Sequence, residues 1–284
     1  DVSEIVAIDQ VAAEPPVPGV RAVIGDISDE GFLTRAIEPD VTSVFHLAAV
    51  VSAAAEADFD LGMRVNIDAT RAVLERCRAL AEPPKLVFTS SLAAFGDPPA
   101  MVLDDTPALP KSSYGVQKVI GEYLIGEYAR KGFVDARAVR LPTITIRPGK
   151  PNKAASSFVS SILREPLQGQ RAICPVAPEM QLWVQSPRVA IHNLLRAHDL
   201  SADEWAGPSR VVNLPGLTVT VAEMIEALTR AGGDAGLVEW QPDAAIRRLV
   251  GSWPVAMNTA RADAMGFHKD TDIDGIIAGF IGQL

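Results

Sequence analysis

The run Lys85-Leu-Val-Phe-Thr-Ser-Ser91, followed downstream by Ser113-Tyr-Gly-Val-Gln-Lys118, decides how the chain is read. The first stretch is apolar until it breaks into hydroxyls, the pattern of a buried parallel strand whose end meets solvent. The second opens a segment with helical spacing that runs to Tyr128, so Tyr114 and Lys118, at i and i+4, share one face. Working back from Lys85, Pro83-Pro84 stops a helical stretch from Asp60 to Leu80. Ser43-Val-Phe-His-Leu-Ala-Ala49 reads as a strand running into a small-residue turn. Ahead of it lie two short strands, Glu4 to Asp9 and Val20 to Ile24, and helical spacing from Glu30 to Ile37. Working forward, Ala136 to Leu141 is another strand, ended by Pro142. Strands alternating with helices predict an α/β chain with a Rossmann-like doubly wound parallel sheet over residues 1–142.

Beyond Pro142 the elements shorten and are separated by Pro and Gly, which predicts a smaller α+β substrate lobe over residues 143–284. Its pieces are Ala154 to Gly169 and Leu217 to Phe267, while 187–199 reads as a helix returning to the first domain. The chain has 284 residues, 21% of them charged, and a net charge of −9, with no basic stripe of the kind a phosphate backbone requires. Nucleic acid is therefore not an expected partner. Cys77 and Cys174 stand far apart with no His or Cys at ligand spacing, so neither a metal site nor a disulfide is expected. Charge interrupts every apolar run before the ~18–20 residues of a membrane span. No secretory leader opens the chain, and a cytoplasmic protein with a small-molecule substrate is expected.

A Tyr four residues ahead of a Lys is, in isolation, usually a solvated lysine beside a half-buried ring. The hydroxyls of Thr89, Ser90 and Ser91 change that, because they emerge at the carboxyl edge of a parallel sheet, where such folds bind ligands. Oxidising an alcohol needs a base for the hydroxyl proton and an acceptor for the hydride. A phenol of pKa ~10 is a poor base, and a nearby ammonium favours its phenolate. Tyr114 as general base, Lys118 as its cationic neighbour and Ser91 as the hydrogen-bonding partner of the substrate oxygen form a catalytic set. Asp9, a carboxylate at a strand end, can accept both ribose hydroxyls of an adenosine and repel a 2′-phosphate, so NAD is the expected cofactor. Asp9 equally suits a turn cap, and Asp26 a strand-to-helix cap.

Phe88-Thr-Ser-Ser-Leu-Ala-Ala-Phe-Gly96, with Ser113-Tyr-Gly-Val-Gln-Lys118, resembles the active-site signature of the extended short-chain dehydrogenases, the NAD-dependent epimerase/dehydratase family. Gly25-Asp26-Ile27, His46-Leu-Ala-Ala49 and Val65-Asn-Ile-Asp-Ala-Thr70 follow in the order that family shows. The resemblance implies that Ser91, Tyr114 and Lys118 are catalytic and that Lys118 also holds the nicotinamide ribose. It assigns Asp26 and Ile27 to the adenine, the backbone of Leu47, Ala48 and Ala49 to close approach, and Asn66, Ser90 and Pro142 to the cofactor site. The family also has a Gly-x-x-Gly-x-x-Gly turn ahead of the residue matching Asp9, which is not in this sequence. The resemblance therefore implies a first strand, turn and helix upstream of Asp1, and it leaves a homodimer open.

The loop Leu141-Pro-Thr-Ile-Thr-Ile-Arg-Pro-Gly-Lys-Pro-Asn-Lys153 sets cations among hydroxyls, which suits a small polyhydroxylated acid, or else is an exposed basic loop. Thr143, Arg147, Asn152, Lys153 and Arg188 are the candidate substrate residues, with Ser91 and Tyr114. Within the family this loop resembles that of the members that oxidise D-erythronate to the 2-oxo acid. Rival readings are a nucleotide-sugar epimerase or dehydratase, and a non-catalytic NAD-binding protein. Leu92 and Ala93 stand where dehydratases carry an acid after the catalytic Ser, and the intact Ser91, Tyr114 and Lys118 disfavour a non-catalytic role.

Overall fold

The computed structural model of the chain describes residues 2–12, 16–149, 154–205 and 207–283. It opens with two parallel strands, β1 (Ile5–Asp9) and β2 (Val20–Ile24), paired from Ile5 opposite Val20 to Asp9 opposite Ile24. Helix α1 (Glu30–Ala36) starts where the Asp29 carboxylate accepts from the Phe32 N–H. Then come β3 (Ser43–His46), α2 (Ser52–Ala57), α3 (Phe59–Met63), α4 (Ala69–Arg78), β4 (Lys85–Ser91), α5 (Ser113–Arg130) and β5 (Ala136–Leu141). The second half contributes β6 (Thr143–Ile144), α6 (Ser157–Leu167), β7 (Ala172–Cys174), β8 (Gln181–Gln185), α7 (Pro187–Asp199) and β9 (Val211–Asn213). It ends with β10 (Leu217–Thr220), α8 (Val221–Arg230), β11 (Val238–Trp240), α9 (Ala244–Gly251), α10 (Ala260–Ala264) and α11 (Ile273–Ile281).

Strands β3, β4, β5 and β9 form one parallel sheet in that order, and β1 with β2 forms a separate parallel pair. Alternation along β4 divides the core between two faces. Leu86 and Phe88 pack with Leu74, Ile125 and Ala138 on one side, and Val87 packs with Val139, Leu200 and Phe267 on the other. This is the doubly wound α/β arrangement expected. Helix α7 lies on the second face, where the fully buried Arg137 donates to the Ala197 and Leu200 carbonyls at the C-terminal end of that helix. The return to the first sheet is larger than the helix 187–199, because β9 pairs with β5 and α10 packs beside β9. A third core joins α6, α8 and α11 to β8 and to Leu92 and Phe95.

Two local expectations differ from the structure. The strand from Ser43 stops at His46, where the ladder to Phe88 ends, and Leu47 to Ala49 run on without strand partners. The single helix expected from Asp60 to Leu80 is instead α3, a π-helical turn at Arg64–Asp68, and α4. Asp58 ends α2 and caps α3 by accepting from the Leu61 N–H, and from there the helical run continues through the π turn into α4, ending at Arg78.

Candidate active site

Strand β4 delivers Thr89, Ser90 and Ser91 to the carboxyl edge of the sheet. The Ser91 hydroxyl accepts from the Ala93 N–H at 3.1 Å, turning the chain into a tight helical turn at Leu92–Ala94. Helix α5 begins against that turn, capped by Ser112, which accepts from the Gly115 N–H at 3.1 Å. Gly115 is required there, since a Cβ would lie 2.2 Å from the Ala93 carbonyl oxygen. This close approach brings Tyr114 to the Ser91 end of β4. Burial pushes the phenol up to about 12, and the Ser91 hydroxyl beside it opposes that shift.

Lys118 is buried one turn further along α5. Its ammonium donates to the Thr89 carbonyl at 2.7 Å and sits 4.6 Å from the Phe88 ring centroid and 5.5 Å from that of Tyr114. Burial lowers its pKa to about 7, while the Glu122 carboxylate pulls it back up. The ammonium thus points at a backbone carbonyl beside the phenol's ring, and is itself desolvated. His46 is buried beside the pair and stays neutral, its pKa pushed down to about 3 by burial and by the Lys118 charge.

The Ser90 hydroxyl is engaged within the protein: it donates to Glu122 at 2.5 Å, and Glu122 receives two further bonds from Arg140 at 2.7 Å. Arg140 also donates to Asn213 at 3.3 Å, so a buried polar chain runs behind the site through β4, α5, β5 and β9. Sequence reasoning missed Glu122 and Arg140. The signal was present: Glu122 is i+4 from Lys118 on a buried helix face, and Arg140 interrupts an apolar strand.

A cleft of about 350 Å³ opens between β1 and β3, lined by Asp9, Gly25, Ile27, Leu47, Ala48, Ala49 and Val50, among others. Asp9 reaches it while accepting from the Val11 N–H at 3.2 Å. Asp26 does not line it: its carboxylate is taken by the Ser28 N–H and hydroxyl, which hold its pKa down, as a turn cap would. Asn66 lies under the cleft wall, accepting from the Val50 N–H at 2.8 Å and donating to the Val50 carbonyl at 3.0 Å. A larger cavity, about 750 Å³, lies on the other flank of α5 and touches none of Ser91, Tyr114 and Lys118.

On the substrate side, Pro142 and Thr143 are buried and Arg147 is half-buried. The Arg147 N–H donates to the Ser160 hydroxyl at 3.1 Å, and its carbonyl accepts from Arg164 at 2.6 Å. Its guanidinium pKa is lowered by burial and by the Arg164 charge. Arg188 is exposed in the first turn of α7, and Asn152 and Lys153 lie outside the described residues. Among the described residues no group of His, Cys, Asp and Glu could hold a metal ion, and no helix is long and apolar enough to cross a membrane.

The family model for the NAD dependent epimerase/dehydratase family matches residues 3–211. A D-erythronate dehydrogenase of Cupriavidus necator is 56% identical over 92% of this chain and 82% of its own length. The one from Haemophilus influenzae is 43% identical over 99% of this chain and 90% of its own. Among solved structures, the nucleoside-diphosphate-sugar epimerase from Agrobacterium tumefaciens superposes with a TM-score of 0.91 at 40% identity, covering 99% of this chain and 85% of that one. L-threonine 3-dehydrogenase from Trypanosoma brucei gives 0.86 at 26% identity, covering 97% and 87%. With the site geometry and these similarities together, the chain belongs to the NAD dependent epimerase/dehydratase family.

Proposed function

We propose that this NAD-dependent oxidoreductase oxidises D-erythronate to its 2-oxo acid, with Tyr114 as general base. The observation that carries the reading is the gathering of Ser91, Tyr114 and Lys118 at the end of β4, in a chain whose loop after β6 carries Arg147, a guanidinium that feels the Arg164 charge. A half-buried guanidinium in that state favours an anionic ligand. The similar proteins named D-erythronate dehydrogenase point to the same acid.

The cleft suits NAD. Gly25, Ala48 and Ala49 leave room for close approach, and Asp9 offers a carboxylate to ribose hydroxyls while opposing a 2′-phosphate. Asp9, Ile27, Leu47 to Ala49, Lys118 and Pro142 would hold the cofactor. Bound NAD supplies the hydride acceptor and a cationic ring. Arg147 pairs with the substrate carboxylate, with Thr143 and Arg188 toward the remaining hydroxyls. Ser91 hydrogen-bonds the hydroxyl oxygen on the second carbon and orients it to Tyr114, which takes its proton. In the protein alone the phenol holds its proton tightly, so abstraction awaits a site in which positive charge beside Tyr114 favours the phenolate.

The test is a substrate screen with NAD and NADP, following the reduced nicotinamide by absorbance. D-Erythronate with NAD should be turned over best, and an uncharged polyol of the same length poorly. Turnover of a nucleotide-linked sugar with no activity on four-carbon acids would overturn the proposal.

A further inference from the structure

Gln117 lies between Tyr114 and Lys118 in sequence, is 1% exposed, and points toward the segment that carries Asn66. Its Oε1 accepts from Asn66 Nδ2 at 2.6 Å. The direction of that bond is fixed from the far end. Val50 has one backbone N–H, which must meet the Asn66 oxygen, so Asn66 turns its NH2 to Gln117 and Gln117 must answer with oxygen. The Gln117 NH2 is left buried without a partner. It rests against Gly62, where a Cβ would lie 2.5 Å from Nε2.

A buried donor without a partner costs about 1–3 kcal/mol, and Met would fill the same space without that cost. The oxygen of Gln117 therefore has a task that outweighs its idle nitrogen. What it secures is the Asn66 amide, which grips both polar groups of Val50 as a neighbouring strand would. Leu47 to Ala49, just before Val50, have no strand partners of their own and form the cleft wall. The chain of contacts thus runs from the helix of Tyr114 and Lys118, through Gln117 and Asn66, to the backbone that faces the cleft.

We infer that Gln117 is a positioning residue for the cofactor: through Asn66 it fixes the Leu47–Val50 wall relative to Tyr114 and Lys118. This rests on the reading that the Leu47–Val50 cleft binds NAD. Gln117→Met keeps the volume and removes the acceptor, so Kd and KM for NAD should rise about three- to tenfold, the loss of one neutral hydrogen bond. Turnover at saturating NAD should stay within about twofold. In a cycle with Asn66→Ala the two effects on Kd should be non-additive, because Gln117 acts through Asn66. A lowered melting temperature with unchanged Kd for NAD, or additive effects in the cycle, would overturn the inference. Ala48→Trp, which obstructs the cleft, separates the two readings. If it binds NAD normally the cleft assignment fails, and if it blocks NAD while Gln117→Met does not weaken it, only the role of Gln117 fails.

Discussion

Replacing Arg147 by Gln removes a charge while keeping a hydrogen-bonding side chain of similar reach. The backbone there is pinned at both polar groups, by the Ser160 hydroxyl and by Arg164, so the substitution acts on the guanidinium and not on the course of the chain. Arg164 is already committed to Glu165 at 2.6 Å, whereas the charge acting on Arg147 is that of Arg164 itself. A substrate carboxylate would therefore gain a charge-assisted contact without displacing a protein acid. Such a contact contributes about 1.5–3 kcal/mol, so KM for D-erythronate should rise about ten- to a hundredfold or slightly more. KM for NAD should not change. The melting temperature should hold or rise, since one of two neighbouring cations has gone, and this separates a ligand contact from a structural one. Arg147→Lys should recover part of the loss, because it restores charge without the two-pronged geometry. Steady-state kinetics with each substrate varied, alongside thermal unfolding, measure all of these. An unchanged KM for the acid, or a parallel rise for NAD, would refute the assignment of the carboxylate to Arg147.

Tyr114→Phe should cut turnover by about 10²–10⁴-fold with NAD affinity and melting temperature retained, and near-normal turnover would remove the phenol from the proton chemistry. His46 should make the fold acid-sensitive: its folded pKa of about 3 lies below the unfolded value, so the unfolded chain binds the extra proton and stability falls as pH drops through that window. The loss approaches about 1.4 kcal/mol per pH unit, and His46→Gln should flatten it in urea titrations between about pH 7 and pH 5. Gly115→Ala should cost about 1–3 kcal/mol and most of the activity, since its Cβ meets the Ala93 carbonyl. Gly126→Ala on the same helix meets nothing within 4 Å and should stabilise by about 0.5–1 kcal/mol. Unfolding midpoints of the two glycine variants that moved together would contradict that contrast.

Short apolar, β-branched runs and proline stops made the parallel strands legible, because β4 and β5 are buried on both faces and their composition follows directly from that burial. Tyr114 and Lys118 were legible as a pair through helical spacing only because a strand ending in the hydroxyls of Thr89, Ser90 and Ser91 precedes them. What escaped were contacts closed by long-range packing. Ser90 looked like a site hydroxyl, yet it serves Glu122, and nothing local in Thr89-Ser90-Ser91 tells which hydroxyl turns inward. Asp26 takes its short-range option through one carboxylate oxygen, which accepts from both the Ser28 N–H and the Ser28 hydroxyl. Gln117 gave no signal, since its partner Asn66 lies in a turn whose shape the apolar periodicity conceals.

That π-helical turn at Arg64–Asp68 also sets a limit on chain length. It packs one more residue into a turn than an α-helix does, and each residue of an α-helix advances the side chains by about 100°. Deleting any one of its residues would let the segment close as ordinary α-helix, but everything before it would swing by that angle relative to everything after it. Asn66 could then keep its grip on Val50, or Val73, Leu74 and Cys77 could stay in the core, but not both. Substitutions in this stretch should therefore be tolerated far better than single insertions or deletions, and a scan of substitutions and one-residue deletions over Arg64 to Asp68 should show that contrast.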